Sequence, residues 1–377
     1  MDNYDLSIVI PCLDEEETIG ICIQKIKDAF KREKINGEVI VVDNGCKDDS
    51  INISRKMGAK IAVELKKGYG NALRKGIDFA KGKYVIMADA DNTYDFSTID
   101  KFFKLLKKGN DLVMGSRFKG EILKGAMSWS HRYIGNPILS GMLKLFFGGR
   151  VSDAHCGLRG FSKEAYNKMN LKSQGMEFAS EMVIHALKEN LKITEISIKY
   201  YPRKGESKLN SVRDAWRHVR FMLVYSPKHL FLIPGFLMFL IGTLICSHIF
   251  FAPLYLFGRG WDIHVMVLSG MVAILGWQVF TMGIIAKAYV NKINLEKDQL
   301  IQKFLNKFNL EFFLILGFFV FCIGLLLVGR IFWVWYLKDF GVLDQIKTGI
   351  IATLFITIGA QTLFSSFLVG VIKIDYK

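Results

Sequence analysis

Four long apolar runs after residue 228 constrain the fold of this 377-residue chain more than any other feature. A helix needs roughly 20 apolar residues to cross a bilayer core, and each run is long enough. Before residue 228, charged and apolar residues mix as they do in soluble proteins. The sequence therefore predicts a soluble domain over 1–210, an amphipathic segment over 211–227 and a membrane domain over 228–377. The predicted spans are 229–251, 265–288, 311–333 and 347–372.

The distribution of lysine predicts how the chain is oriented in the membrane. The loop after the first span has Arg259 as its only Lys or Arg, whereas five lysines lie in or beside the link between the second and third spans. They are Lys287, Lys292, Lys297, Lys303 and Lys307. Cytoplasmic loops carry the excess of Lys and Arg, and the first residues lack the basic and apolar regions of a signal peptide. We expect an integral membrane protein with its soluble domain at the cytoplasmic face of the plasma membrane.

The segment before the first span is amphipathic. On a helix over 211–225, Arg213, Arg217 and Arg220 form a basic stripe, and Trp216 and Met222 belong to an apolar face. Such a helix is typical of one that lies in the headgroup layer of a membrane. The alternative is an ordinary core helix of the soluble domain. A second candidate for an interfacial helix, over 133–147, is interrupted by Pro137.

The formal net charge of +15 indicates an anionic partner or simply a well-solvated surface. Anionic lipid is favoured over nucleic acid because the apolar runs indicate a membrane, and no nucleic-acid-binding module is recognisable. The six cysteines are far apart and form no C-x-x-C pair, so neither a zinc site nor a disulfide framework is predicted.

The soluble half alternates short β-branched runs with helical stretches, which predicts a mainly parallel sheet covered by helices. Acids follow three of these strands: Asp14 and Glu15 the first, Asp43 the second, Asp89 and Asp91 the fourth. Ligands of such sheets bind beyond the carboxyl ends of the strands. Helix caps and turns are the alternative for any single acid. Two carboxylates one residue apart at a strand end, however, suit Mg²⁺ or Mn²⁺ bound together with phosphate oxygens.

Two common nucleotide-binding patterns are missing. A dinucleotide fingerprint follows the first strand, whereas the glycine-containing turn at 68–71 follows the third. The phosphate loop G-x-x-x-x-G-K-[ST] does not occur. An oxidoreductase and an ATPase of that class are therefore disfavoured.

Taken together, these motifs resemble the family 2 glycosyltransferases of the GT-A fold, and within them the polyprenyl-phosphate branch that includes dolichol-phosphate glucose and mannose synthases. The resemblance covers nearly the whole chain, and the order and spacing of the motifs are specific. The matching segments are IVIPCLDEEETI, VVDNGCKDDS, KGYGNALRKG, MADADNTYD, GSRF, HRYIGNP, DAHCGLRGF, GMEFASEM and YYPRKGESKLN. The rival polysaccharide synthases need a Q-x-x-R-W motif, which is absent.

The resemblance implies a role for each matching position. The residues expected to bind the nucleotide-sugar donor are Pro11, Asp14, Glu15, Asp43, Asp89, Ala90, Asp91 and Lys208. Those expected to bind the acceptor, a polyprenyl phosphate such as undecaprenyl or dolichyl phosphate, are Arg117, Arg132, Asn136 and Ser207. Asp89 and Asp91 are expected to hold Mg²⁺ or Mn²⁺. The residues expected to take part in catalysis are these two acids together with Arg117, Arg132 and Arg203. A homo-oligomer is left open.

Three positions depart from the family pattern: Asp14 replaces a common Asn, Cys46 a usual Ser, and Thr93–Tyr94 the Leu-Gln of many mannose synthases. The last departure favours UDP-glucose or a related UDP-sugar as donor. The expected reaction is an inverting transfer of a hexose onto the lipid phosphate for glycan assembly. Two alternatives stay open: a GDP-mannose-dependent synthase, and a non-catalytic membrane scaffold or lipid-flipping partner.

Overall fold

The chain forms two compact units, Met1–Met222 and Leu223–Lys377. The computed structural model describes residues 4–149, 151–204, 211–292 and 310–373. Ser207 and Lys208, expected to contact the acceptor and the donor, lie outside the described residues.

Unit 1 is built on a seven-stranded sheet with the order β3-β2-β1-β4-β6-β5-β7. Strands β1 to β4 run parallel, and β6 is antiparallel to both β4 and β5. The strands are β1 Leu6–Cys12, β2 Gly37–Asp43, β3 Lys60–Val63, β4 Tyr84–Met87, β5 Leu112–Ile122, β6 Arg159–Ser162 and β7 Ile193–Tyr200. This arrangement confirms the mainly parallel α/β GT-A fold expected from the alternating pattern.

The register of the parallel strands brings the predicted acids to one edge. Cys12 at the end of β1 lies opposite Asp43 at the end of β2, and Val9 of β1 lies opposite Met87 at the end of β4. Residues 6–10 of β1 are completely buried, as expected for a strand covered on both faces. Asp14, Asp43 and Asp89 therefore all lie at or just beyond strand ends on the same side of the sheet.

The first three helices of unit 1 each follow a parallel strand and lead away from the carboxyl edge of the sheet. The helices of unit 1 are α1 Ile19–Glu33, α2 Ser50–Lys56, α3 Tyr69–Phe79, α4 Ile99–Lys107, α5 Asn136–Phe147, α6 Lys163–Met169, α7 Phe178–Lys188 and α8 Ser211–Val224. Pro137 lies in the first turn of α5, and a π-helical turn over His131–Gly135 precedes it. The helical path expected over 133–147 therefore continues past Pro137, and the wider π-helical turn, in which the N–H of Asn136 donates to the carbonyl oxygen of His131, lies directly before the proline.

Helix α8 presents a mixed face. His218 and Met222 are buried, whereas Trp216 is 59% exposed, so the predicted apolar face is divided between the interior and the surface. Arg217 lies 3.4 Å from Asp214 on the same helix. Part of α8 thus packs as a core helix does, and its exposed tryptophan keeps the interfacial interpretation as a prediction.

In its described residues, unit 2 contains four helices that are long and apolar enough to cross a membrane. The spans are Lys228–Phe251, Ile263–Lys292, Leu310–Leu337 and Ile346–Ile372. The helices themselves are α9 Ile233–Phe251, α10 Ile263–Lys292, α11 Leu310–Leu337 and α12 Ile346–Lys373, and a hairpin of β8 Leu254–Leu256 and β9 Arg259–Trp261 joins the first two. The four-helix membrane region predicted from the apolar runs is confirmed.

The helices pair through glycines. A Cβ atom at Gly276 would lie 2.2 Å from the backbone nitrogen of Phe239, so α9 and α10 touch backbone to backbone. Likewise, a Cβ atom at Gly359 would lie 2.5 Å from the backbone nitrogen of Phe321, which joins α11 to α12. Small residues at such crossings are the usual means of tight packing in lipid. The two hairpins therefore share one mode of packing.

Candidate active site

Arg203 links the acids that follow two strands of the sheet. Its Nη2 lies 2.6 Å from Oε1 of Glu15, and its Nη1 lies 3.5 Å from Oδ2 of Asp91. Its own position follows from a backbone hydrogen bond, in which the N–H of Tyr201 donates to the carbonyl oxygen of Thr93 at 2.9 Å. The structure thus brings together Glu15, Asp91 and Arg203, which lie far apart in the sequence.

Asp91 has one oxygen fixed and one turned toward Arg203. Its Oδ1 accepts hydrogen bonds from the backbone N–H of Thr93 at 3.1 Å and from the Thr93 hydroxyl at 2.6 Å. Its Oδ2 has the long contact with Arg203. The residue is 9% exposed. Asp91 is therefore a preorganised carboxylate with one oxygen in position for a ligand.

Asp89 is held by two tyrosines. The Tyr69 hydroxyl donates to its Oδ1 at 2.8 Å, and the Tyr94 side chain also bonds to it. The Tyr94 hydroxyl in turn accepts from the backbone N–H of Gly157 at 2.9 Å. Burial, followed by the charge of Asp91, raises the pKa of Asp89 to about 6. The hydroxyls fix the orientation of a carboxyl group that is hard to ionise fully.

Both members of the Thr93–Tyr94 departure from the family pattern therefore hold an acid of the D-x-D motif. Thr93 bonds to Asp91 and Tyr94 bonds to Asp89. Gly157 has to be a glycine here, because a Cβ atom would lie 2.4 Å from Oδ2 of Asp89. The sequence pattern indicated the acids, but these supporting contacts depend on residues brought together only by the fold.

The acids after β1 and β2 shape their own turns. Asp14 has a φ of 51°, and its Oδ1 accepts from the backbone N–H of Lys47 at 2.6 Å. Oδ1 of Asp43 accepts from the backbone N–H groups of Gly45 and Cys46, each at 2.9 Å. Pro11 pairs with Val42 in the sheet. These residues border the same edge as Glu15, where a nucleotide was expected.

A second group of side chains at this edge resembles a metal site. Ligand atoms of Asp14, Cys46 and Asp48 lie within 4.8 Å of one another. Both Asp48 oxygens already accept backbone hydrogen bonds, from Ser50 and Glu16, at 3.0 Å. A thiol is a soft ligand, whereas Mg²⁺ and Mn²⁺ prefer oxygen. The donor set at Asp91 and Asp89 is thus the better match to these ions.

Arg117 is not the open phosphate ligand that was expected. Its Nε donates to Oδ2 of Asp153 at 2.7 Å and its Nη2 to Oδ1 at 2.8 Å, while its backbone N–H donates to Oδ2 at 3.0 Å. Arg117 is 7% exposed and Asp153 is fully buried. Such two-point pairs fix a guanidinium firmly. Sequence reasoning missed Asp153, although it begins the DAHCGLRGF motif.

Arg132, the second arginine expected to bind the acceptor, has different surroundings from Arg117. It lies in the π-helical turn before α5, with its guanidinium carbon 5.4 Å from the ring of Tyr133. Within the described parts of the chain, its side chain has no acidic partner. Asn136 contacts Met127, its Nδ2 lying 3.6 Å from the sulfur. Exposed apolar side chains flank this turn: Trp129, Tyr133, Ile134, Ile138 and Leu145.

A fully buried arginine shapes the loop between α5 and β6. Arg159 donates to three carbonyl oxygens, those of Cys156 at 2.8 Å and of Ala179 and Ala154 at 2.6 Å each. Burial lowers its pKa. The loop that carries Asp153 and Gly157 therefore folds around a guanidinium. An arginine at the start of a buried strand was the only sequence signal for this role.

Two histidines extend this loop to α8. Nε2 of His155 lies 3.1 Å from the Ser180 hydroxyl, which lies 2.8 Å from Nδ1 of His218. The two rings are 4.5 Å apart. Burial lowers the pKa of both imidazoles, that of His218 to about 4. These hydrogen bonds connect α8 to the loop whose Asp153 binds Arg117.

Both halves of the chain are similar to known glycosyltransferases. Residues 7–169 match Glycosyl transferase family 2, and residues 284–373 match Glycosyltransferase family 2 C-terminal transmembrane region. Over 366 residues the chain is 38% identical to the low-salt glycan biosynthesis hexosyltransferase Agl6 of Haloferax volcanii. The alignment covers 97% of this chain and 88% of that protein. The chain belongs to glycosyltransferase family 2.

Other similarities extend over the catalytic half. This family 2 glycosyltransferase is 30% identical to the dolichyl-phosphate hexose transferase of Haloferax volcanii, over 55% of this chain and 87% of that protein. Among solved structures, glucosyl-3-phosphoglycerate synthase of Mycobacterium tuberculosis superposes with a TM-score of 0.46 at 20% identity, over 59% of this chain and 78% of that one. The family assignment confirms a membrane-bound glycosyltransferase.

Proposed function

We propose that the enzyme transfers a hexose from a UDP-sugar to a polyprenyl phosphate, with inversion at the anomeric carbon. The observation that carries this proposal is the cluster in which Arg203 bridges Glu15 and Asp91 at the carboxyl edge of the sheet. A nucleotide diphosphate needs both a cation-binding carboxylate and a positively charged side chain, and this cluster offers the two side by side.

The donor set fits Mg²⁺ or Mn²⁺. Oδ2 of Asp91 is the oxygen in position for a hard cation, which proteins commonly bind through one or two carboxylates and the phosphates of the substrate. When bound, the ion acts as a Lewis acid on the diphosphate. Asp89 supports the site because two tyrosines fix its direction and its carboxylate retains lone pairs beyond those used.

The nucleoside would lie over the ends of β1 and β2. Pro11, Asp14, Glu15 and Asp43 border this edge, and carboxylates there can accept hydrogen bonds from the ribose hydroxyls. The buried backbone of Ala90 continues the same wall. The Thr93–Tyr94 pair favours a UDP-sugar, and UDP-glucose is the specific proposal.

Arg132 is proposed to bind the acceptor phosphate, with Asn136 beside it. Its charge has no acidic partner in the described segments, and the apolar side chains around it suit a surface that meets lipid. The acceptor class is also supported by similarity to a relative, the dolichyl-phosphate hexose transferase of Haloferax volcanii. Arg117 then acts as a positioning residue that stabilises the loop of Asp153.

The nucleophile needs little activation. A phosphate monoester has a second pKa of about 6 and is mostly dianionic at neutral pH. The enzyme therefore has to align two anions rather than remove a proton, and cations placed between them lower their repulsion. Arg203 would stabilise the departing diphosphate by bonds that strengthen as charge develops there. One in-line displacement converts an α-linked donor into a β-linked lipid product.

The membrane half brings the site to an acceptor whose isoprenoid chain stays in the bilayer. The lysine distribution supports a cytoplasmic catalytic domain, where nucleotide sugars are made available. Helix α8, with its exposed Trp216, and the surface around Arg132 are the proposed contacts with the headgroup layer.

The direct test uses the purified full chain in lipid nanodiscs. It is incubated with polyprenyl phosphate, Mg²⁺ or Mn²⁺ and each of UDP-glucose, UDP-N-acetylglucosamine and GDP-mannose, and the lipid product is weighed by mass spectrometry. We expect a hexosyl lipid phosphate from UDP-glucose that depends on the ion. Product from GDP-mannose alone would contradict the donor assignment, and no product from any donor would contradict the function.

A further inference from the structure

We propose that Arg203 occupies the position of the divalent cation while the nucleotide is absent, so that the cation binds only together with the diphosphate. This inference rests on the proposed function, because it concerns the order in which the ligands of that site assemble. It assigns to Arg203 a second role, as an exchangeable counter-ion, in addition to contact with the leaving group.

The contacts of Arg203 carry the first step. One guanidinium nitrogen is 2.6 Å from Glu15 and another is 3.5 Å from Asp91. The side chain is 24% exposed, so the pair is neither deeply buried nor free in solvent. The long second contact is directed at the Asp91 oxygen that Thr93 leaves open. Arg203 therefore stands in front of the oxygen expected to bind the cation.

Charge balance carries the second step. Glu15, Asp91 and Asp89 are three acids near one arginine, whose charge also acts on Asp89. A divalent ion that approached this arrangement alone would meet a fixed positive charge, and two cations at short range repel strongly where water is scarce. A free ion therefore has to displace Arg203 from the Oδ2 atom of Asp91 before it can bind there.

The diphosphate changes this balance. It adds negative charge that both a divalent ion and a guanidinium can bind, so Arg203 can leave the acids for the phosphate oxygens while the ion takes its place at Asp91. Nε of Arg203 is buried and has no hydrogen-bond partner in the described segments. A phosphate oxygen of the bound diphosphate would accept a hydrogen bond from this N–H group.

The test measures binding of Mn²⁺ itself. Free Mn²⁺ is followed by electron paramagnetic resonance as the full chain is titrated in detergent, with and without UDP, for the wild type, Arg203→Met and Arg203→Lys. Arg55→Met is the matched control, because it removes an exposed arginine on α2. Arg203→Lys retains a positive charge and checks that charge, rather than side-chain shape, matters.

The expected result is weak binding of Mn²⁺ alone to the wild type and roughly tenfold tighter binding to Arg203→Met, with Arg203→Lys and Arg55→Met close to the wild type. With UDP present, the wild type binds Mn²⁺ well and Arg203→Met loses part of that gain. Equal affinity of wild type and Arg203→Met for Mn²⁺ alone, with UDP-dependent binding intact, overturns this inference and leaves the proposed function standing. Failure of every variant to bind UDP with Mn²⁺ overturns both.

Discussion

Arg117 and Asp153 are joined at two points, with Nε–Oδ2 at 2.7 Å and Nη2–Oδ1 at 2.8 Å. Since Asp153 is completely buried and Arg117 nearly so, neither charge can exchange its partner for water. Breaking such a pair by removing one charge leaves the other buried without compensation. The pair therefore holds the Asp153 segment against β5, whereas Arg132 has no acidic partner in the described segments.

Asp153→Asn tests this division of roles. The substitution retains the shape but removes the charge, so we expect the free energy of unfolding to fall by about 3 kcal/mol. Chemical denaturation in detergent measures it. Arg132→Ala is the contrasting variant: it should leave stability unchanged and raise the KM for the lipid acceptor, with UDP affinity retained. A stable Asp153→Asn protein would contradict the structural role of the pair.

Asp91→Asn should abolish most of the transfer. Loss of the carboxylate that faces Arg203 removes several kcal/mol of stabilisation of the leaving group, which corresponds to a rate decrease on the order of a thousandfold. Turnover at saturating donor measures the effect, and the melting temperature checks folding. Asp28→Asn on the exposed face of α1, where Asp28 pairs with Gln24, is the control and should have wild-type activity. Turnover of Asp91→Asn near the wild-type rate would remove Asp91 from the mechanism.

Thr93→Val and Tyr94→Phe separate the two supports of the D-x-D motif. Each removes one hydroxyl bonded to an acid, and a hydrogen bond to a charged group contributes about 1.5–3 kcal/mol. We expect affinity for Mn²⁺ with UDP to fall by about tenfold in Thr93→Val. In Tyr94→Phe the backbone N–H of Gly157 also loses its acceptor, so stability should fall as well. Unchanged Mn²⁺ affinity in Thr93→Val would show that Asp91 needs no such support.

The pH dependence of stability should reflect His218. Burial lowers the pKa of its imidazole to about 4, against the ordinary value of 6.5, although Glu177 and Asp214 act in the opposite direction. Because the unfolded chain takes up the proton first, the contribution of His218 is complete above pH 6.5 and is lost as pH falls toward 4. The loss amounts to about 3 kcal/mol. Denaturation at pH 7 and pH 5 should show a smaller difference for His218→Gln than for the wild type; equal differences would contradict it.

The proposed orientation can be tested with single cysteines. Arg259→Cys, in the hairpin between α9 and α10, should react with a membrane-impermeant maleimide on intact cells. Lys292→Cys, at the far end of α10, should react only after the cells are opened. The wild type supplies the background from the native cysteines. Reversed accessibility would place the catalytic domain on the outer side.

Local patterns in the sequence predicted the parts of this protein that depend on neighbours along the chain. The alternation of strands and helices predicted the parallel sheet, and the length of the apolar runs predicted the four spans. Acids after strand ends predicted the edge where Glu15 and Asp91 lie together, since parallel strands bring their carboxyl ends to one side.

Contacts between distant residues were beyond such patterns. Arg117 and Asp153 are separated by 36 positions, and nothing in either motif indicates that the carboxylate of Asp153 accepts two hydrogen bonds from the guanidinium of Arg117. Tyr69 reaches Asp89 across 20 positions. Arginine and tyrosine look alike in a sequence whether they face a ligand or complete a buried hydrogen bond. Only the fold distinguishes a side chain that binds a ligand from one that fixes the position of another side chain.

The glycine contacts of the membrane half have a consequence for how that half can change over generations. Where Gly276 meets the backbone of Phe239, there is no space for even one methyl group, and the same holds where Gly359 meets Phe321. In each hairpin, substitution of the glycine at the crossing by even a small residue is thus not tolerated, whereas the lipid-facing side chains can be substituted. Evolutionary change in this half should therefore collect at the lipid-facing side chains and leave Gly276 and Gly359 as glycines.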